Sequence, residues 1–356
     1  MFLAALWRRR ARFAILLWCL CMGCTSASGL VDDEPPAVVC PAPGPGVLIG
    51  GSGDVSADPR TPARIVVLMG GSSEDDSASR RFVEAAGGGD VLVLRATGSV
   101  TSYPDYFTLT LDPNPAPASA ITALTSPASV GADPSVLCRV AQAEAIWLAG
   151  GSQWDYLGLW PAELHDSLAA ATARGVALGG TSAGAVSLGE GTFDAENGTV
   201  TSAEALNDPT SEAVSVSLSP FPQPELEGAL VDSHFSERNR EGRLLAFLAR
   251  FLELSGRERV LGIGLDERIA LVIQGGGYEV LGPADRAAHL YELDSPVTLI
   301  PGQPLDLALV RKISLGPGSS GPWPVDFTTE DPVNLEVQDG AVSNVVPNRA
   351  PGPSAP

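Results

Sequence analysis

Leu178-Gly179-Gly180-Thr181-Ser182-Ala183-Gly184-Ala185 is the stretch on which the reading of this 356-residue chain turns. The apolar run 175–178 reads as a buried strand, and the small residues after Ser182 open a helix. Between them, Gly180 to Gly184 fit the pattern Gly-x-Ser-x-Gly. In such a strand-to-helix turn the serine is held in a tight, strained conformation with its hydroxyl exposed. Glycines are needed on both sides because any β-carbon there would strike the neighbouring strand or helix. A chain with 39 glycines yields such patterns by chance, so the flanking strand and helix carry the reading more than the pattern does.

The surrounding sequence alternates in the same way. Short β-branched or apolar runs at 64–69, 90–95 and 144–148 read as further buried strands, and 229–231 as another. Helical spacing appears at 77–86, 161–174 and 241–254, where Leu244, Leu248 and Phe251 share a face. The alternation predicts an α/β fold of three layers, a mostly parallel sheet with helices on its faces. Runs at 268–273 and 278–281 flank Gly275-Gly276-Gly277 and predict a hairpin at the sheet edge. After Pro301 the chain is rich in Pro and Gly, with candidate strands at 305–315 and 333–337. No internal repeat is visible.

A serine hydroxyl needs a base, and the chain has three histidines, His165, His234 and His289. His234 is the best placed, in Val231-Asp232-Ser233-His234-Phe235 at the end of a strand-like approach. The others sit inside helix-like or strand-like polar faces. The base in turn needs an orienting acid, and Gly262-Ile263-Gly264-Leu265-Asp266-Glu267 ends a strand-like run with two carboxylates. Adjacent strand residues point oppositely, so only one of Asp266 and Glu267 faces the site. Arg238, Arg240 and Arg243 follow the histidine. Arg240 and Arg243, three apart at a helix start, face the same way, and planar guanidinium groups suit capture of a substrate carboxylate. The competing reading pairs Arg238 and Arg243 with Glu237 and Glu241 on a solvated face.

Together these motifs resemble the cyanophycinase and dipeptidase E family of serine peptidases. Gly150-Gly151-Ser152-Gln153 is similar to its Gly-Gly-x-Gln loop, Gly180 to Ala185 to its elbow, Asp232 to Arg243 to its Asp-x-His-Phe-x-x-Arg-x-Arg-x-x-Arg segment, and Gly262 to Glu267 to its Gly-Ile-Gly-x-Asp-Glu strand. Ser-Ala-Glu-Ala-Leu at 202–206 also has the family's look. The resemblance implies a class I glutamine amidotransferase-like (flavodoxin-like) fold with a small C-terminal β extension. It implies Ser182 as nucleophile, His234 as general base and Glu267 as orienting acid. It also places Gln153, Asp232 and the three arginines about the substrate, and gives the oxyanion the amide of Ala183 and a second from Gly150-Gly151. The implied substrate is a peptide or polymer cut at an aspartyl bond, α or β, without a cofactor. Ser233 stands where cyanophycinase has glutamine, so the aspartyl bond transfers better than any particular polymer.

Composition bounds the rest. With 44% hydrophobic and 18% charged positions the chain is neither disordered nor fibrous, and a net charge of −20 argues against nucleic-acid binding, which needs an excess of Lys and Arg. Arg8, Arg9, Arg10 and Arg12 ahead of the apolar run 13–22 read as an export signal, too short to span a bilayer. Its removal takes the charge to about −24. Leu20-Cys21-Met22-Gly23-Cys24 resembles a lipoprotein box that would lipidate Cys24, although Cys21 stands where an apolar residue is usual; a lipid-anchored and a secreted product are both carried forward. Cys40 and Cys138 could pair in an oxidising compartment, which sequence alone does not decide. No spacing of Cys and His makes a metal site, and Gly50-Gly51 and Gly70-Gly71 lack the dinucleotide fingerprint.

The expected organisation is a signal over 1–23, a tether over 24–46, the α/β peptidase domain over 47–300, a β-rich extension over 301–346 and a disordered tail over 347–356. Oligomeric state, including a homodimer, is open. The rival readings are a catalytically silent lipoprotein that binds acidic peptides and an α/β-hydrolase esterase, which would need its acid before its histidine.

Overall fold

The computed structural model describes residues 39–53, 60–328 and 330–345. The export signal, Cys24, most of the tether and the 347–356 tail lie outside the described residues. In chain order the strands are β1 Ile49–Ser52, β2 Ile65–Met69, β3 Asp90–Arg95, β4 Ser119–Leu124, β5 Ala145–Leu148, β6 Ala177–Thr181, β7 Gly191–Phe193, β8 Val216–Leu218 and β9 Ala229–Asp232. There follow β10 Arg259–Leu265, β11 Ala270–Gln274, β12 Gly277–Leu281, β13 Ala288–Asp294, β14 Leu307–Leu315, β15 Ser320–Pro322, β16 Val333–Gln338 and β17 Ala341–Asn344. The helices are α1 Asp76–Glu84, α2 Ser102–Asp105, α3 Pro134–Gln142, α4 Gln153–Leu157, α5 Ala162–Arg174, α6 Ala183–Val186, α7 Ser202–Asn207 and α8 Glu241–Ser255.

The strands form two sheets. The first runs β1-β4-β3-β5-β6-β2-β11-β12-β15, and its core, β4 to β2, is parallel. Strand β2 shows why. Its five residues are all buried, without polar alternation, as expected of a strand covered on both faces. Val66 and Leu68 pack with Val140 of α3 and Leu168 of α5, while Ile65, Val67 and Met69 pack with Phe82 of α1, Phe107 and Trp147. This is the predicted three-layer arrangement. Its longest helix, α5, stops at Gly175 in the left-handed region, φ 80°, where a residue with a side chain would be strained.

The second sheet runs β17-β16-β14-β13-β10-β9-β7-β8, with β10, β9 and β7 mutually parallel and the other pairs antiparallel. One face, with Val231, Ile263 and Leu265, joins the core that also covers the first sheet; the other, with Leu230, Val260 and Tyr291, packs on α8. On α8 the predicted stripe of Leu244, Leu248 and Phe251 is fully buried, and Leu245 and Phe247 are buried with it. The segment after Pro301 supplies β14, β16 and β17, so three of the eight strands of this sheet come from the expected extension. One expectation fails: the β11–β12 hairpin turns at Gly275 and Gly276 as predicted but does not close the sheet edge, because β15 pairs on beyond β12.

Cys40 and Cys138 form a disulfide with their Cα atoms 5.6 Å apart, tying the chain ahead of β1 to α3 across a sequence separation of 98. At the C-terminal ends of the strands, Ser182 N bonds Met69 O within the first sheet, and His234 N, after β9 of the second sheet, bonds Gly70 O, after β2 of the first, each at 2.9 Å.

Candidate active site

Ser182 follows β6 and is the residue on which α6 starts, with φ 53° and ψ −120°. A positive φ at a residue with a β-carbon is uncommon and persists only where its surroundings enforce it. The glycines on either side do so. A β-carbon on Gly180 would lie 2.6 Å from the Gly184 carbonyl carbon, and one on Gly184 would overlap the Leu148 carbonyl. Because β6 lies between β5 and β2, the loops leaving those two strands, Gly150-Gly151 and Gly70-Gly71, form the walls beside the serine. A β-carbon on Gly150 would stand 3.5 Å from Ser182 Cβ, so that loop closely lines the hydroxyl. The Ala183 N–H, in the first turn of α6, has no intrahelical acceptor and is available to a ligand.

His234 leaves the end of β9, also at positive φ, 48°. Its Nε2 lies 2.8 Å from Ser182 Oγ and its Nδ1 2.7 Å from Glu267 Oε1. With a carboxylate on Nδ1, the neutral ring carries its proton there, and the Nε2 lone pair accepts the serine hydroxyl. Burial lowers the His234 pKa below its ordinary value, and Arg238 and Arg240 act in the same direction; the bond to Glu267 opposes them. The hydrogen bond from His234 in turn holds the Glu267 carboxyl below the usual glutamate range.

Of the two neighbouring acids, Glu267 is the one on the histidine. Asp266 turns away: its Oδ1 accepts from Ser236 N at 3.0 Å and its Oδ2 from Ala287 N at 3.0 Å, with His289 Nε2 at 3.4 Å. Burial pushes this carboxyl up, yet the hydrogen bonds from His289 and Ser236 bring it down to about 2. His165 is engaged elsewhere, with its Nε2 2.8 Å from Tyr156 O.

The three arginines part company. Arg243 is 3% exposed and grips Asp232 with two bonds, Nε to Oδ2 at 2.7 Å and Nη2 to Oδ1 at 2.6 Å. It also lies over the rings of Phe193 and Phe247, 5.3 and 5.5 Å from their centroids. The expectation that Arg243 and Asp232 stand about the substrate fails: the structure commits each to the other inside the core, so neither is open to a ligand. Arg240 gives Nη1 to Ser233 O at 2.6 Å and leaves Nε and Nη2 without a partner among the described residues. Burial pushes its pKa down to about 10, against the pull of Asp232. Arg238 is exposed and makes no side-chain hydrogen bond among the described residues. The solvated pairing with Glu237 and Glu241 does not form: Glu237 pairs with Arg286 at 2.8 Å and Glu241 with Lys312 at 2.6 Å. Gln153, first residue of α4, is half-buried and donates Nε2 to Phe193 O at 3.2 Å.

Sequence reasoning passed over Gly70, Gly71 and Ser72, which lie against all three members of the hydrogen-bonded line. A signal was present: Leu68-Met69-Gly70-Gly71-Ser72 and Leu148-Ala149-Gly150-Gly151-Ser152 end the two strands that flank β6 with the same Leu-x-Gly-Gly-Ser. A cavity of about 830 Å³ opens at the opposite ends of β2 and β10, lined by Arg64, Arg259 and Trp323 among others, and includes none of Ser182, His234 and Glu267. Among the described residues no group of His, Cys, Asp and Glu side chains is arranged to hold a metal ion.

No family model matches the chain, and no curated protein does. Among solved structures it is similar to a peptidase from an acI-B1 Actinobacterium, at 16% identity and a TM-score of 0.46, covering 74% of this chain and 98% of that one. It is also similar to a candidate peptidase E from Listeria monocytogenes EGD-e, at 14% identity and a TM-score of 0.38, covering 62% of this chain and 98% of that one. At such identities and scores these likenesses carry no weight for function, which is read from the site itself.

Proposed function

We propose that the protein is an exported serine peptidase that hydrolyses peptide bonds at an aspartyl residue. The observation that carries the reading is the unbroken line from Ser182 Oγ through His234 to Glu267, at 2.8 and 2.7 Å, on a serine held at φ 53°. In the proposed reaction His234 Nε2 takes the hydroxyl proton as Ser182 Oγ bonds to the amide carbon, and the carbonyl electron pair moves onto its oxygen. The Ala183 N–H and an amide of the Gly150-Gly151 loop hold that oxyanion; each such donor is worth about 2.7 to 4 kcal/mol in other enzymes. When the carbonyl re-forms, the C–N bond breaks and the amine leaves with the proton from His234. Water then gives His234 a proton, attacks the acyl ester and frees the acid, and Ser182 recovers its proton. Glu267 stays ionised throughout and fixes the ring's tautomer.

The acidic preference is supported by the guanidinium edge of Arg240 that has no partner among the described residues and by the exposed Arg238, two cations beside His234. Export is supported by the arginine-headed apolar run at the start of the chain and by the Cys40–Cys138 pairing, since disulfides persist in oxidising compartments. The test is amine release from α- and β-aspartyl dipeptides and cyanophycin, by the mature protein and by Ser182→Ala. Release that the variant abolishes is expected, and its substrate names the linkage. No release from any substrate by a folded protein would sink the peptidase reading and favour a silent binding protein.

A further inference from the structure

Three consecutive residues from the last of β2 onward each fasten a different part of the site. Met69 O accepts the Ser182 N–H at 2.9 Å, Gly70 O the His234 N–H at 2.9 Å, and Gly71 O the N–H of Arg268, next to Glu267, at 3.0 Å. Gly70 also donates its own N–H to Ile269 O at 2.9 Å. The next residue, Ser72, has its hydroxyl among the groups that hold the Glu267 carboxyl down. Neither glycine has room for a side chain, but for different reasons. A β-carbon on Gly70 would overlap the Asp266 carbonyl, which is backbone. One on Gly71, at φ 95°, would lie 2.5 Å from His234 Nε2 and 3.0 Å from Ser182 Cβ. The first obstacle is fixed; the second is an imidazole that can rotate away.

We infer that Gly71 is a positioning residue: the side chain it lacks leaves the seat in which the His234 ring meets Ser182, and the Met69–Ser72 turn keeps nucleophile, base and acid in register. The inference rests on the serine-peptidase reading. In Gly71→Ala the added methyl displaces the ring from Oγ. A misplacement of about 1 Å costs on the order of a hundredfold in rate, so kcat should fall by that order while KM holds. The ring also leaves its buried seat, so the acid limb of the pH profile moves up towards the ordinary histidine value.

Three measurements test this: kcat and KM against pH, the rate of labelling by a fluorophosphonate, and thermal stability, on wild type, Gly71→Ala and Gly275→Ala. Gly275, at φ 61° with nothing within 4 Å of the point its β-carbon would occupy, carries the same left-handed strain away from the site and is expected to keep wild-type kinetics. Stability is also measured for Gly71→Ala in a His234→Ala background, where the methyl has room and its Tm penalty should shrink. Gly71→Ala with wild-type kcat and acid limb would overturn the inference and leave the peptidase reading standing. If Gly71→Ala fails to fold, recovery of folding in the His234→Ala background upholds it, and failure in both overturns it. A wild type that neither labels nor hydrolyses removes the peptidase reading, and this inference with it.

Discussion

Burial sets the working range of His234. Its pKa lies below the ordinary value of 6.5, so the neutral, base-competent ring persists into mildly acidic solution. A plot of kcat/KM against pH should rise through a midpoint below 6.5 and stay level through neutrality; a midpoint above 6.5 would contradict it. Stability moves in the same direction. The unfolded chain binds this proton more readily than the folded one, so the contribution is complete above about pH 6.5 and is lost as the pH falls towards the folded pKa. Ser182 and His234 could be read from sequence because each ends a recognisable strand, and only one of three histidines did. Asp266 and Glu267 could not be separated by residue type. What separates them is a pair of backbone N–H groups, on Ser236 and Ala287, that claim Asp266, and nothing in the sequence marks those partners.

The start of α8 shows two arginines of one motif put to different uses. Arg243 is sealed against Asp232, so Arg243→Met strips the buried carboxylate of its two close bonds and leaves it Arg240 Nη1 at 3.4 Å and the Ser233 N–H, a loss of up to roughly 3 to 5 kcal/mol. Arg240→Met, which removes the guanidinium proposed to meet the substrate, should cost less stability than Arg243→Met and raise KM for aspartyl substrates. Urea unfolding and steady-state kinetics on both variants separate the roles; an unaltered KM in a folded Arg240→Met protein would refute the assignment. Helical spacing could not foresee this, since residues three apart share a face but the sequence does not say what that face meets. Strands followed the same divide. β2 and β3, buried on both sides, stood out as apolar runs. β13 did not, because its sequence carries His289 and Glu292, and Glu292 is buried only through Arg259 and Arg311 from neighbouring strands. The three-residue strands β7 and β8 are too short to show any period.

At the scale of the whole molecule the disulfide closes a loop of 98 residues that takes in β1 to β4 and part of α3. Cross-linking a loop of about 100 residues removes unfolded-state entropy worth about 4.7 kcal/mol in the chain-entropy model, and losing such bonds typically costs about 2 to 5. Cys138→Ser, or reductant on the wild type, should therefore lower the urea midpoint substantially; an unchanged midpoint would mean the bond does not form in solution. The first sheet was largely readable from sequence. Of the second, the runs at β9, β10, β14 and β16 could be read but not their assembly, since parallel pairs such as β7–β9 and β9–β10 join strands far apart in the chain.

That division also bears on how the protein is made. Ser182 rides on the first sheet, His234 on the second, and Glu267 in the crossing between β10 and β11. A nascent chain that has passed Ser182 but not yet His234 and Glu267 thus displays an unactivated alcohol, as harmless as any other serine. Under the proposed chemistry the molecule acquires its cutting power only once the two sheets have come together. An unfinished copy of such a peptidase cannot cut at all.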